Sequence, residues 1–163
     1  MARHSQIGDP EKYRCKLVDL LIHFEDHLKR SELRTQVLAL IPASTLLQNL
    51  GASLIQEESC VSARSRILAY MKKYVGNVLD GEELMVVAGI SEYARRVREL
   101  RVEHGWRILT GITLKNMEQE EIESLTGRKD FSLKPDQYIL VSLEQDTEAA
   151  YRWNVANDIR KEK

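Results

Sequence analysis

Four arginines within seven residues, Arg95, Arg96, Arg98 and Arg101, are the side chains of this chain best suited to chemistry. A guanidinium is a planar, permanently charged fork that fits phosphate oxygens and the major-groove edge of guanine. The four follow Ala88-Gly89-Ile90-Ser91. There Gly89 supplies the permissive backbone of a sharp interhelical turn, and Ser91 is the expected N-cap of the next helix. Ala94, Val97 and Leu100 recur every third residue and predict an inward stripe with Arg101 beside it, leaving Arg95, Arg96 and Arg98 outward. That is the arrangement of a helix-turn-helix recognition helix. The groove-facing candidates are Glu92, Tyr93, Arg95, Arg96 and Glu99, with Arg98 alongside. Ser91 and the helix N-terminus are expected against a phosphate, and Lys72, Lys73 and Arg107 along the flanking backbone. A run of charge more often only solvates a helix, and Glu92, Glu99 and Glu103 stand at pairing distances from these arginines. The turn before the helix and the strand predicted after it favour DNA.

Other chemistries find no complete residue set. An HNH nuclease needs paired histidines and an asparagine around a metal, and His4, His23, His27 and His104 offer no such spacing. Pro135-Asp136 could begin a PD-(D/E)xK site, yet Tyr138 to Leu143 supplies no acidic-x-Lys partner. His23 and His27 are one helical turn apart, but no further ligand pair stands near them, so they read as surface or interface histidines. Cys15 and Cys60 are two separate thiols without a nucleophile's context, and the glycines are scattered rather than gathered into a phosphate loop. Trp106 and Trp153 read as core anchors. No catalytic residue, metal ligand or cofactor is expected.

The elements that must position the arginines follow from periodicity. Leu17, Leu20, Leu21, Phe24 and Leu28 predict an amphipathic helix over Glu11–Lys29, opened by Asp9 and Pro10. A second helix is predicted from Ser31 to Ile41, interrupted or kinked by Pro42, and a third from a Ser44 cap through Ile55. A boundary is placed between Glu57 and Ser62. Helices are then predicted at Ala63–Tyr74, at Glu82–Ala88 capped by Asp80, and at Glu92–Glu103. Val78-Leu79 is read as a short strand, and Trp106–Thr110 and Gln137–Ser142 as a hairpin joined by a long wing, residues 111–136, with an acidic helix over Asn116–Leu125. A last helix starts at Asp146 or Thr147 and runs to Ile159.

Composition sets the class. The chain has 163 residues, 43% hydrophobic and 30% charged, with a net charge of −1. This describes a globular protein and argues against a general nucleic-acid coat. Residues 62–110 carry nine Lys/Arg against six Asp/Glu, +3, whereas residues 111–150 carry four against nine, −5. A local basic element in a neutral chain suits a site-selective binder. No apolar run reaches membrane-spanning length, and Met1 to Gln6 precede no signal segment, so a cytoplasmic location is expected.

The block Ser65 to Leu84, with Val87 to Arg101 and Gly105-Trp-Arg-Ile108, resembles winged-helix domains found beside or fused to bacterial HNH-type restriction endonucleases. Leu133 to Leu140 and Ala150 to Arg160 extend the likeness to residues 62–160. The resemblance implies DNA binding in a restriction or mobile-element setting. The expected fold is mainly α with a small β-hairpin: an N-terminal helical segment (1–61), for a dimer or partner contact, then a winged helix-turn-helix with a long wing and a C-terminal helix (62–163). The expected function is non-catalytic double-stranded DNA binding by a regulator or targeting subunit of a restriction-like or phage-derived system. Its partners would be a second copy or a nuclease subunit. Two alternatives stay open: a protein–protein adaptor, favoured by the acidic Glu118–Glu123 stretch, and a subunit of an HNH-type restriction endonuclease.

Overall fold

The computed structural model describes residues 8–161. The reading of Met1 to Gln6 lies outside them. No described helix is long and apolar enough to cross a membrane.

Asp9 opens the first helix, α1 (Pro10–Arg30), its carboxylate accepting from the Glu11 amide at 3.0 Å, with Pro10 at the first helical position. A tight reversal leads into α2 (Leu33–Ser53), capped by the Glu32 side chain. Gln36 bridges the reversal by donating to the carbonyls of His27, Leu28 and Ser31. The expected break at Pro42 does not occur, and Ser31 and Ser44 do not open helices. Ser31 instead closes α1, and one helix runs through Pro42. Proline costs a helix one N–H bond and a ring clash. Pro42 is solvent-exposed, so water can reach the freed carbonyl, and packing against α1 holds both halves in line.

Ser62 and Ser65 form a reciprocal cap on α3 (Ala63–Lys73). A two-residue strand, β1 (Leu79–Asp80), runs directly into α4 (Gly81–Ala88), where the Asp80 amide donates to Glu83. Gly89 ends α4 in the left-handed region at φ +67°. The next helix, α5 (Tyr93–Val102), is preceded by Glu92 rather than capped by Ser91. Then come β2 (Trp106–Thr110), α6 (Gly111–Lys115), α7 (Gln119–Thr126), β3 (Gln137–Gln145) and α8 (Thr147–Lys161). The Asp146 carboxylate accepts from the Ala149 amide at the start of α8.

The chain is therefore mainly helical, with a three-stranded antiparallel sheet in the order β1-β3-β2. Tyr138 pairs with both Leu79 and Thr110, and Leu140 with Ile108. Alternation along β3 splits the interior in two. Tyr138 and Leu140 face the main core with Ile67, Met71, Leu84, Val97, Leu100 and Ile108. Ile139 faces the other way with Leu109, onto Leu114 and Ile122 of α6 and α7. The connection expected to be a long wing is thus folded back as a cover on the outer face of the sheet, because its own apolar residues, including Met117, Leu125 and Phe131, complete a second core there.

Candidate nucleic-acid interface

Each side of the turn before α5 is fixed by a different element. Arg66 of α3 reaches beneath it, donating from Nε to the Val87 carbonyl at 3.1 Å and from Nη2 to the Ala88 carbonyl at 2.6 Å. These carbonyls at the C-terminal end of α4 lack helical partners, and a cation there also meets the negative end of the helix dipole. On the other side α2 closes in. A Cβ on Gly89 would lie 2.8 Å from the Gln48 carbonyl oxygen, and one on Gly51 would lie 2.4 Å from that of Val86. Glycine is required at Gly89 twice over, for its backbone angle and for this approach.

On α5 itself, Val97 and Leu100 are buried as expected, but Ala94 is exposed. Tyr93 turns inward, its ring 6.2 Å from that of Tyr138 in an edge-on contact. Glu99, expected to face a groove, is only 9% exposed. Arg96 Nη1 donates to both its oxygens at 2.7 and 2.8 Å, Arg95 Nε stands at 3.3 Å, and Arg64 of α3 at 3.7 Å. An almost dry carboxylate is costly unless paired. Three guanidinium groups supply the pairing and leave a cluster with two net positive charges.

The arginines consequently separate by role. Arg101 is half-buried and donates to Thr113 Oγ1 at 2.6 Å, with burial pushing its pKa down. Arg96 is held on Glu99 with its side chain 31% exposed. Arg95 keeps 70% of its side chain in solvent. Arg98 is exposed and lies over the Trp153 ring of α8 at 5.7 Å. Ser91 and Glu92 are exposed at the N-terminal end of the helix. Of the flanking cations, Lys72 sits 4.4 Å above the Trp106 ring, Lys73 6.0 Å from Tyr74, and Arg107 is exposed on β2. Trp106 is buried as expected, whereas Trp153 is only half-buried.

Residues 64–141 match the family described as the KpnI N-terminal domain. This relates the segment from α3 into β3, including α5 and its turn, to a restriction enzyme. The match leaves out α1, α2 and α8. No curated protein and no solved structure matches the chain.

Sequence reasoning missed Arg64 and Arg66, which reach α5 and its turn from another helix and show no local spacing signal. Glu99, read as groove-facing, lies three and four residues beyond Arg96 and Arg95, the distances at which helical side chains meet, so its pairing was the competing reading that the spacing allowed. Elsewhere, His23 Nδ1 donates to the Asp19 carbonyl at 2.6 Å and His27 Nδ1 stands 3.3 Å from Ser31 Oγ. No cluster of three or more metal-capable side chains occurs among the described residues. Cys60 is buried, which raises its pKa, and Cys15 is exposed.

Proposed function

We propose that this chain binds duplex DNA without cleaving it, as a regulator or targeting subunit of a restriction-like or phage-derived system, with α5 entering the major groove. Residues 62–163 would form the DNA-binding unit, a winged helix-turn-helix, and residues 1–61 the contact to a second copy or a nuclease subunit. The element order supports the winged-helix reading: α3, β1, α4, α5, then β2 and β3 closing an antiparallel sheet with β1. The match to a restriction-enzyme domain over the same elements supports the setting. The observation that carries the proposal is the outward pairing of Arg95 and Arg98 on a helix that directly follows a left-handed turn locked by Arg66 and α2.

The groove-facing set is then Ser91, Glu92, Arg95 and Arg98. Arg96 acts indirectly through the Glu99 cluster, and Lys72, Lys73 and Arg107 contribute backbone contacts. A fork from Arg95 onto guanine is worth roughly 1–3 kcal/mol of base discrimination. Replacing Arg95 and Arg98 together with Ala tests the reading by fluorescence anisotropy on labelled duplexes selected from a random pool. Affinity should fall and discrimination among duplexes should relax, with far-ultraviolet circular dichroism unchanged. Undiminished affinity in that double variant overturns the assignment of α5.

The adaptor alternative draws on Glu118, Glu120, Glu121 and Glu123, which flank or lie on α7, and on the two arginines that α5 spends internally. Absence of salt-sensitive binding to any duplex at low ionic strength would favour it. Plasmid cleavage with Mg²⁺ or Mn²⁺ would instead point to a nuclease subunit.

A further inference from the structure

The hairpin of α1 and α2 leaves a row of apolar side chains exposed along one side. Tyr13, Leu17, Leu20, Phe24 and His27 form the half-buried seam of α1 against Gln36, Ala39, Ala43, Leu46 and Leu50 of α2. At about 100° per residue, Val18, Leu21 and Leu28 fall roughly 60–140° to one side of that seam on α1. Leu33, Val37, Leu40 and Leu47 fall at the corresponding angles on α2. Because the helices run antiparallel, equal rotations on both bring these residues to the same side of the hairpin. All seven are exposed, Leu33 at 73% and Leu28 at 60%. The opposite side of α1 carries Lys12, Lys16, Asp19, His23, Asp26 and Arg30.

We infer that this apolar face closes on the same face of a second copy of the chain, giving an antiparallel four-helix bundle. Two observations select a second copy as the occupant. The first is size. Two 21-residue helices side by side present about 30 Å by 20 Å, some 600 Å² in projection before side-chain corrugation. That approaches the roughly 800 Å² per partner of a standard interface and stands at the upper end of the patches, about 300–600 Å², that monomers expose and commonly use for contacts. The second is self-complementarity. A twofold axis crossing α1 between Asp19 and Leu20 sets Val18 against the partner's Leu21 and Arg14 against the partner's Glu25. Both charges lie within that face, at about 100° and 120° from the seam, and both make exposed intrahelical pairs, Arg14 with Glu11 and Glu25 with Lys29. Exposed pairs of this kind are easily exchanged. An isologous interface needs each patch to match its own rotated copy, and Val18, Leu21, Arg14 and Glu25 do so about this axis.

The inference rests on the contact role proposed for residues 1–61 and is separable from the reading of α5, on which none of these residues lies. Sedimentation equilibrium of the full chain should give twice the monomer mass, and Leu21→Glu with Leu40→Glu should give the monomer while retaining helical circular dichroism. A monomer mass for the unaltered chain at high micromolar concentration overturns the inference, as does a dimer that survives both glutamates. Charge exchange tests the register. Arg14→Glu alone and Glu25→Arg alone should each weaken the dimer about tenfold, and the two together should restore it. Single exchanges that weaken without mutual rescue overturn the twofold arrangement.

Discussion

Replacing Glu99 with Gln should lower stability and raise general DNA affinity, two effects of opposite sign from one charge. Gln keeps the shape and can still accept from one arginine, so the change removes charge rather than volume. Deleting one partner of a fully buried ion pair costs about 3–5 kcal/mol. Here the arginines are only partly shielded: Arg96 is 31% exposed, Arg64 41% and Arg95 70%, so each can regain water. Discounting for that leaves about 2 kcal/mol, most of it from the two short bonds to Arg96. For a chain of this size the melting temperature should fall by about 4–8 °C in differential scanning calorimetry. Exposed Glu120→Gln is the control and should stay within about 0.5 kcal/mol. Under the DNA reading, the freed guanidinium should steepen the salt dependence by about one unit. A melting temperature indistinguishable from that of the unaltered chain would refute the reasoning, because it would mean the carboxylate is hydrated and the arginines do not depend on it.

Two further perturbations probe the scaffold. Gly51→Ala places a methyl 2.4 Å from the Val86 carbonyl oxygen, so α2 must move away from α4. The gain in helix propensity, about 1 kcal/mol, should be outweighed by an overpacking cost of about 1–3 kcal/mol, seen as a net loss on chemical denaturation together with faster amide exchange in α4. In alkaline titration, the phenols of Tyr70 and Tyr138 are pushed up to about 12, Tyr70 mainly by donating to Glu83 and Tyr138 mainly by burial. Both bind their protons more tightly in the folded state than at the ordinary value near 10. Their contribution is therefore complete below pH 10 and lost as pH rises through 12. Phenolate absorbance should show a late-titrating fraction, and Tyr70→Phe should remove part of it while leaving that of Tyr138.

Local patterns in the chain carried most of the fold. Asp9-Pro10 and Gly89 mark element ends through capping and backbone preference, and each does so in the structure. The acidic helix and the Gln137–Ser142 strand were legible from periodicity, and the structure holds them as α7 and β3. What failed was whatever tertiary contact decides. Pro42 reads as a stop, yet α1 braces the helix across it. The 111–136 connection reads only as a long wing because Leu114, Met117, Ile122 and Phe131 look scattered until the back of the sheet gathers them. At the candidate site, spacing identified the helix, but the periodic stripe put Ala94 inside and left Glu99 outside. Arg64, approaching from α3, reverses the second assignment by completing a charged pocket around the carboxylate.

The same contacts limit how a duplex could approach. In a winged helix the loop between the last two strands commonly reaches past the sheet to a second stretch of backbone. Here α6 and α7 are pinned to the sheet by Leu109, Leu114, Ile122 and Ile139, and α7 presents Glu120, Glu121 and Glu123. Phosphate close to those carboxylates would be repelled, so the connection cannot serve as a second arm. At the other end of α5, Asn154 of α8 donates to the Glu103 carbonyl and Trp153 underlies Arg98, occupying the space over the last turn. The N-terminal end of α5, with Arg95 and the preceding Ser91 and Glu92, is what remains open, and Arg98 stands at its border with α8. A single half-helix offers few contacts, and recognition by so short a reader gains most if a second α5 reads a neighbouring half-site. The apolar face of the α1–α2 hairpin, turned toward its own copy, would supply that second reader.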